Sequence, residues 1–320
     1  MKYNENNKEK FNEEQLNNLL KEKIGYLNDF KKQFGYNQEL VNKLALINVA
    51  LKENGIEIDD LFYNTLRDTE IIMSDNVYEE NLEEINKYTT ADNKEDLLGV
   101  YTYHTPTNLF TENMYVQNSK IFLANKSHGK NLSDVMKLNL LIHEFRHALT
   151  SQNERYSYLD ENTFLKRSGI KSSIYKKDNK EINVFATMLN EAFNEHASVI
   201  LTNTILDFKN KNIENKEINK MLKQFKKKFI NRKFESGIYE YERNLIKPLL
   251  NNEKVFKLID KASYSGDLYL LINFLAKYST YCDDFDYLSV KRSEESKTLT
   301  YRKLLNKFKK ETKIRAKEIK

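Results

Sequence analysis

The sequence contains few residues that crosslink or interrupt a chain: one cysteine, two prolines and eight glycines in 320 residues. Because Cys282 is alone, the chain forms no intrachain disulfide and offers no thiolate set for a cysteine-based zinc site. The scarcity of proline and glycine favours long helices over a fold of short strands and tight turns. The composition therefore predicts a mainly helical globular protein.

Long apolar runs are missing as well. The longest apolar stretch, 268–276, is far shorter than the roughly 20 residues that span a bilayer. The first 15 residues are polar and contain no apolar segment of the kind that signal peptides carry. We therefore expect no membrane span and a cytoplasmic location, with export by a signal-independent route left open.

The formal net charge of +5 is modest, but the basic residues concentrate in two segments. Residues 209–233 hold ten Lys or Arg against two Glu, and residues 301–320 hold nine against two. Such segments attract nucleic acid or anionic surfaces, although they are more often the solvated faces of helices. In the first segment Ile218, Leu222 and Phe225 recur at helical spacing, which indicates a buried face. No nucleic-acid-binding motif accompanies either segment, so a nucleic-acid partner is the less favoured interpretation.

The hydrophobic pattern divides the chain into three predicted regions, 1–98, 99–206 and 207–320. The first is predicted to be helical, with one helix that stops at Gly55 and a second that starts near Asp59. The middle region carries the candidate site. The last region is predicted to hold further helices, which include the two basic segments.

The middle region is expected to begin with a small sheet. Short runs of β-branched and aromatic residues at 99–104 and 118–125 predict strands. An amphipathic helix follows, with Asn131 or Ser133 as its N-cap. Strands and helix together place the candidate site on a helix that adjoins a sheet.

The remainder of the middle region is less regular in its pattern. Residues 150–180 are polar and are expected to be irregular, with one short helix near Phe164. Another helix is expected from about position 181 to position 206.

The motif HEFRH, residues 143–147, places two histidines one helical turn apart with a glutamate beside the first. At about 100° per residue, His147 lies roughly 40° from His143, and Glu144 lies about 100° from it. The apolar residues of the same helix cluster on the opposite side, near 200°: Leu138, Leu141, Ile142, Phe145 and Leu149. One face therefore packs on a core while the other presents two imidazoles, as a catalytic zinc requires from one helix.

The residue types in this motif have complementary chemical roles. Zinc lowers the pKa of a bound water toward neutrality and polarises a carbonyl. Glu144 is then the general base, which accepts the proton of the water and passes it to a leaving amine. Arg146 is an unusual charge at an inner position, and we expect it to reach solvent or to pair with a nearby acid.

Two histidines leave a tetrahedral zinc short of one protein ligand. The downstream stretch NEAFNEH, residues 190–196, offers Glu191 and Glu195 at the border of the apolar face of its helix. Buried carboxylates are costly without a metal or a histidine partner, and solvent exposure is the simpler alternative. His196 is a rival ligand, although a histidine in the middle of an apolar face is more often a hydrogen-bonded core residue.

HEFRH followed by NEAFNE resembles the gluzincin group of HExxH zinc metallopeptidases, which includes thermolysin and anthrax lethal factor. The 44 residues from position 147 to position 191 resemble the spacing of lethal-factor-like enzymes more than that of thermolysin. The resemblance covers positions 99 to 205. It implies a zincin-like α+β catalytic core, mainly helical, with a small sheet and helical additions at both ends.

The resemblance also implies a metal, a substrate and residue roles. Zn²⁺ is expected to be held by His143, His147 and Glu191. Glu195 is expected to accept a hydrogen bond from the outer N–H of His143, which is the usual support of a ligating imidazole. The substrate is expected to be a peptide or protein that adds as a strand along an edge strand at 118–125, and the alternative of equal weight is that 118–125 is a plain core strand.

The hydrogen-bond donor for the oxyanion is expected to be a tyrosine or a histidine, as in related enzymes. Tyr241 is the first choice and Tyr239 the second, with Arg243 as a charge partner. His104 and His128, on the strand side, are further candidates. Lethal-factor-like enzymes place their tyrosine a few residues before the glutamate ligand, and this chain has no tyrosine there.

Two other functions remain open at this stage. One is a catalytically inactive zincin-fold binding module, although a purely structural metal site has no need of Glu144. The other is a binder of nucleic acid or of an anionic surface that acts through the basic segments. The sequence gives no indication of the oligomeric state.

Overall fold

The computed structural model is an α+β structure that is mainly α-helical, as the sequence predicts. The structure describes residues 2–3, 10–86, 97–104, 117–151, 155–158, 163–176, 181–228, 232–265 and 278–318. The apolar stretch at 268–276 lies outside these residues. No helix in the described part of the chain combines the length and the apolarity needed to cross a membrane.

The helices in the described residues fall into three successive groups. The N-terminal group comprises α1 (Glu13–Phe34), α2 (Gln38–Glu53), α3 (Asp59–Asp68), α4 (Val77–Glu80) and α5 (Leu82–Ile85). The middle group comprises α6 (Asp134–Ser151), α7 (Thr187–Asp207) and α8 (Lys216–Lys228). The C-terminal group comprises α9 (Glu240–Leu245), α10 (Lys247–Leu250), α11 (Glu253–Ser265), α12 (Tyr278–Val290), α13 (Arg292–Glu295) and α14 (Leu299–Glu318).

The strands form two larger sheets and two short pairs within the described residues. The three-stranded sheet consists of β3 (Thr69–Ser74), β4 (Gly99–His104) and β5 (Gln117–Ala124). The four-stranded sheet consists of β8 (Arg155–Tyr158), β9 (Thr163–Ser168), β10 (Lys171–Lys176) and β11 (Glu181–Phe185). The short pairs are β1 (Lys2–Tyr3) with β2 (Ile56–Glu57), and β6 (Lys126–Ser127) with β7 (Lys130–Asn131).

The strand order of the three-stranded sheet corrects two predictions. β5 lies in the middle, parallel to β3 on one side and antiparallel to β4 on the other. The expectation that 118–125 is an edge strand is therefore wrong, because both of its sides are already paired. β3 belongs to the N-terminal region that was predicted to be helical, so this region contributes a strand to the sheet.

The four-stranded antiparallel sheet replaces the irregular segment predicted at 150–180. Phe164 lies in β9 and not in a helix. Positions 181–185 form β11, so the following helix begins at Thr187 and not near position 181. β9 and β10 are joined at Gly169, whose φ of 60° lies in the left-handed region that glycine adopts without strain.

Contacts along the chain define two compact units, and two of their three boundaries fall within α6 and α7. These boundaries differ from those of the three predicted sequence regions. One unit comprises Met1–Leu149 and Ser198–Glu235, and the other comprises Thr150–Ala197 and Ser236–Lys320.

The first unit is built on the N-terminal helices. α1 starts with a reciprocal capping box between Asn12 and Gln15 and ends at Gly35, where φ is 70°. Every residue from Leu40 to Leu51 of α2 is buried, which marks α2 as the central helix of the N-terminal group. The α2 helix ends before Gly55 and α3 begins at Asp59, so both predicted boundaries are confirmed.

The second unit has a core formed mainly by the C-terminal helices. Tyr281 and Phe308 stack with ring centroids 4.6 Å apart, and Phe285 packs against Phe308 at 5.6 Å. The N-terminal half of α7 contributes Leu189, Ala192 and Phe193 to the same core. This half of α7 is therefore positioned by packing against the C-terminal part of the chain.

Candidate metal centre

Helix α6 carries the HEFRH motif on a well-defined scaffold. Its N-cap is Ser133, one of the two predicted caps, whose hydroxyl accepts a hydrogen bond from the Met136 N–H at 3.2 Å. The predicted apolar face is buried, and Phe145 meets Phe62 of α3 edge-to-face with ring centroids 4.9 Å apart. Packing of this face fixes the rotation of α6 and hence the direction of the histidine face.

The two histidines of the motif face each other. Their Nε2 atoms are 3.1 Å apart, and their rings are inclined at 70° with centroids 4.9 Å apart. His143 is 4% exposed and His147 is half-buried. Both Nε2 atoms therefore point to one place beside the helix.

Glu191 offers a possible third ligand atom near the two histidines. One ligand atom from each of His143, His147 and Glu191 lies within 4.8 Å of the other two. Glu191 is on α7, a continuous helix whose later half is bound to α6 by the hydrogen bond from Thr202 to Asn139, 3.0 Å long. The residues that the sequence predicts as metal ligands are thus brought together.

The three ligands fit a zinc ion. Zn–N bonds of about 2.0–2.1 Å at a tetrahedral angle separate two ligating nitrogens by roughly 3.3–3.4 Å. The observed Nε2–Nε2 distance of 3.1 Å is close to this value. Two imidazoles and one carboxylate are also the donor set of hydrolytic zinc sites that keep a fourth position open.

Glu144 is buried beside the histidines and lies against the start of β4. It is 6% exposed, and a methyl group built on Gly99 would come within 2.6 Å of its Oε1 and 2.8 Å of its Cγ. Only glycine at position 99 therefore leaves room for this carboxylate. Sequence reasoning missed Gly99, although a glycine at the beginning of a strand often marks the close approach of another group.

The N-terminus of α7 is held by a distant carboxylate. Asp286 of α12 accepts a hydrogen bond from the Met188 N–H at 3.1 Å. Burial, together with the nearby Asp283, raises the pKa of the Asp286 carboxyl to about 6, against the ordinary 3.8. Ala186, which precedes the helix, has a φ of 61°, a left-handed conformation that costs alanine roughly 1 kcal/mol or more. Sequence reasoning missed Asp286, and no local signal marks it.

Glu195 and His196 follow Glu191 on α7 and differ in their surroundings. Glu195 is fully buried, so its carboxylate is not the solvent-exposed group of the simpler alternative. Its predicted hydrogen bond to His143 stays a prediction. His196 meets the ring of Phe256 edge-to-face at 5.2 Å, and burial with the Arg243 charge lowers the pKa of His196 to about 4. His196 is not one of the three convergent ligands, in keeping with a core histidine.

The two tyrosines predicted as oxyanion donors both lie at the start of α9. Tyr241 shares a hydrogen bond of 2.6 Å with Tyr301, which itself donates to the carbonyl of Leu288 at 2.7 Å. The Tyr241 hydroxyl is therefore the donor to Tyr301, and its role at the metal centre stays a prediction. Tyr239 has a φ of 49° before α9, which is strained for a tyrosine.

The structure also bears on four other charged or titratable residues of the sequence analysis. Arg243 donates to the carbonyl of Ser236. His128 is exposed in the turn between β6 and β7, whereas His104 belongs to β4 and its side chain lies outside the described residues. Arg146 is 4% exposed, so the alternative in which it reaches solvent is wrong, and its pairing with a nearby acid stays a prediction.

Comparisons with known proteins add no relative. A scan against models of protein families, a search of curated proteins and a search of solved structures each found no match. A functional assignment must therefore come from the residues of this chain.

Proposed function

We propose that this chain is a zinc-dependent metallopeptidase of the gluzincin type, which hydrolyses peptide bonds. The observation that supports the proposal most strongly is the convergence of His143, His147 and Glu191 within 4.8 Å. These three residues are the metal ligands in the proposal, and Zn²⁺ is the cofactor. The buried Glu144 beside them is the general base, which a structural metal site would not need.

Zinc, when bound, supplies a Lewis acid that polarises the scissile carbonyl and acidifies a water molecule. Glu144 takes one proton from that water as the oxygen forms a bond to the carbonyl carbon. It then delivers this proton to the amide nitrogen as the C–N bond breaks, so that an acid and an amine are released.

β4 is the strand on which we propose that the substrate binds. The Ala124 N–H donates to the Leu98 carbonyl at 3.1 Å, and the antiparallel alternation then directs the main-chain groups of Gly99 away from β5. In the described part of the chain no strand pairs with that side of β4. A peptide added there passes Glu144, because this carboxylate lies against Gly99.

The test is to measure bound zinc and peptide cleavage in the wild type and in two variants. We expect Glu144→Gln to keep wild-type zinc and to lose cleavage of a peptide library by roughly 10²–10⁴-fold, because only the general base is removed. Glu191→Ala is expected to lose most of its zinc and all measurable cleavage, because two protein ligands remain.

Glu240→Ala is the matched control for Glu191→Ala, since Glu240 is an exposed glutamate of the short helix α9. Its zinc content and turnover are expected to equal those of the wild type. Wild-type cleavage rates in Glu144→Gln, or wild-type zinc affinity in Glu191→Ala, would show that the assignment is wrong. Zinc binding without cleavage of any peptide would favour the inactive binding module.

A second candidate function has one supporting observation. Lys216, Lys220 and Lys223 are exposed on α8 and line a depression of about 510 Å³ together with Asn219 and Gln224. The opposite face of α8 is buried through Ile218, Leu222 and Phe225, so the basic face is the solvated one. Binding to DNA or to anionic vesicles that weakens steeply with salt would support this function.

A further inference from the structure

We propose that the exposed face of α14 is a docking surface for an anionic lipid bilayer. This helix, Leu299–Glu318, lies in the second compact unit, whereas the two histidines of the metal centre and the basic helix α8 lie in the first. The inference goes beyond the proposed peptidase function and does not depend on it.

One face of α14 is fixed by packing against α12. Tyr281 of α12 shares a hydrogen bond of 2.8 Å with Thr312 and stacks on Phe308 with ring centroids 4.6 Å apart. The guanidinium carbon of Arg315 lies 4.5 Å from the centroid of the same Tyr281 ring, and Arg315 pairs with Glu311 at 2.7 Å. These contacts set the rotation of the helix and hence the face that it presents to solvent.

The solvent face of α14 is strongly positive. Its described side chains include no exposed acid and seven exposed cations: Arg302, Lys303, Lys307, Lys309, Lys310, Lys313 and Lys317. At 1.5 Å per residue these cations extend for roughly 22 Å along the helix axis. Lys307 pairs with Asp284 at 3.6 Å, and the other six form no ion pair with a described residue.

This distribution of charge works against the stability of the helix. Three pairs of lysines are four residues apart, a spacing at which like charges destabilise a helix: Lys303 with Lys307, Lys309 with Lys313, and Lys313 with Lys317. A face that served only solubility would mix acids with its cations and so relieve this repulsion. The unmixed positive charge instead produces a field that attracts an extended anionic partner.

Two large apolar side chains are exposed on the same face. Leu299 is 68% exposed and Ile314 is 47% exposed. On the helical wheel they lie about 60° apart, with Lys303 and Lys310 between them. At a bilayer surface such aliphatic side chains enter the boundary of the acyl chains, while neighbouring lysines extend to the lipid head groups. The face therefore combines both kinds of contact that a lipid surface offers.

These features favour a lipid surface over nucleic acid. Six of the seven cations are lysines, which act as point charges, whereas arginine is the residue that recognises phosphates and bases with two parallel hydrogen bonds. The two aromatic residues of α14, Tyr301 and Phe308, are buried, so neither offers a ring on which a base could stack. A row of lysines with aliphatic side chains among them matches a layer of anionic head groups.

The experiment measures binding of the full-length protein to vesicles by co-sedimentation. One set of vesicles contains phosphatidylcholine alone, and the other contains about one third phosphatidylserine. We expect the wild type to bind the anionic vesicles with an affinity that falls as salt is added, and to leave the neutral vesicles unbound.

The first variant replaces three lysines near the middle of the α14 face by glutamine, which preserves helix propensity: Lys303→Gln, Lys310→Gln and Lys317→Gln. Each cation near an anionic surface contributes roughly fivefold to affinity, so the affinity for anionic vesicles is expected to fall roughly 100-fold. The matched control removes the same charge from three exposed lysines of α8: Lys216→Gln, Lys220→Gln and Lys223→Gln. Its vesicle affinity is expected to stay within about threefold of the wild type, since exposed charges farther from the surface than a Debye length are screened.

A second variant, Leu299→Ser with Ile314→Ser, tests for the bilayer itself. Its affinity for anionic vesicles is expected to fall roughly tenfold, because the apolar contact with the acyl boundary is lost while the charge is kept. Binding to a short DNA duplex is expected to be weaker than binding to the anionic vesicles in the wild type and unchanged in this variant.

The outcomes separate this inference from the proposed function. Equal losses in the α14 and α8 lysine variants, or a wild type that ignores anionic vesicles, overturn the inference. Tighter, α14-dependent binding to DNA also overturns it and assigns the face to nucleic acid. Zinc content and peptide turnover are expected at wild-type values in every variant. A wild type that binds anionic vesicles through α14 but cleaves no peptide keeps the inference and removes the peptidase.

Discussion

Helices α6 and α7 both carry residues of the candidate metal centre, but their N-termini are held in different ways. α6 is capped by the residue that precedes it, Ser133. The N-terminus of α7 is capped by Asp286, which is 98 residues from its partner Met188. The residue that precedes α7, Ala186, has a left-handed backbone conformation. One helix start is specified locally, and the other depends on the correct assembly of the C-terminal helices.

This difference separates the roles of the two helices in the site. The histidines and Glu144 lie within five residues of one helix, so any chain that forms α6 presents them together. The carboxylate of Glu191 arrives only when the second helix is in place. We therefore expect changes around α6 to act on the chemistry, and changes around the start of α7 to act mainly on stability.

Replacement of Gly99 by alanine should have the largest effect on activity, because it displaces the carboxylate of Glu144 on α6. The added methyl group would come within 2.6 Å of Oε1 and 2.8 Å of Cγ of Glu144, so the carboxylate has to move. Misplacement of a catalytic group by about 1 Å costs on the order of 100-fold. We expect a loss of this size in kcat/KM, with the zinc content unchanged.

Gly25→Ala is the control for this substitution. Gly25 lies within α1, and nothing is within 4 Å of a methyl group built on it. Alanine in a helix interior is favoured over glycine by roughly 1 kcal/mol, so this variant should be slightly more stable and equally active. Wild-type turnover in Gly99→Ala would contradict the placement of Glu144 as the general base.

The pH dependence of stability should reveal the carboxylate that holds α7. The pKa of Asp286 is about 6 in the folded protein and near 3.8 when unfolded, so between these values the folded state retains a proton that the unfolded state has lost. The stabilisation is complete below about pH 4 and is lost as the pH rises through 6. Asp286→Asn should therefore match the wild type near pH 4 and exceed its free energy of unfolding at pH 7 by roughly 1–3 kcal/mol.

Urea unfolding at pH 4, 5, 6 and 7 provides the measurement. The asparagine retains an oxygen that can accept the Met188 N–H, so the cap hydrogen bond persists while the titration disappears. The favourable interaction of a negative charge with a helix N-terminus, about 0.3–1 kcal/mol, offsets part of the gain. An Asp286→Asn variant that is less stable than the wild type at pH 7 would show that the charge is required.

The difference between α6 and α7 also explains how much of the site could be predicted from sequence. His143, Glu144 and His147 follow from helical periodicity alone, and the packing of the opposite face of α6, through Phe145, against Phe62 needed only an apolar stripe on the helix. Glu191 could be proposed as a border carboxylate, but not placed, because its position depends on contacts far along the chain.

The strands were the least predictable part of the fold. β3 follows α3 without a break, so its short apolar run was taken for part of a helix. The four-stranded sheet was missed because its segments are rich in lysine and serine, and antiparallel strands with polar faces give only a weak apolar signal. The dipeptide Ser168-Gly169 between two such runs was the available turn signal.

The smallest effect is expected from Tyr241→Phe, which tests the scaffold behind α7. Tyr241 donates to Tyr301, and Tyr301 donates to the Leu288 carbonyl on α12, the helix that carries Asp286. Removal of one hydroxyl in this chain should lower the free energy of unfolding by about 0.5–1.5 kcal/mol. The Tyr241 ring stays stacked under Arg292, whose guanidinium carbon is 4.0 Å from the ring centroid, so packing is preserved. We expect kcat and KM at the wild-type values in a peptide-cleavage assay. A 100-fold fall in kcat at wild-type stability would instead return Tyr241 to the role of oxyanion donor that its sequence position suggested.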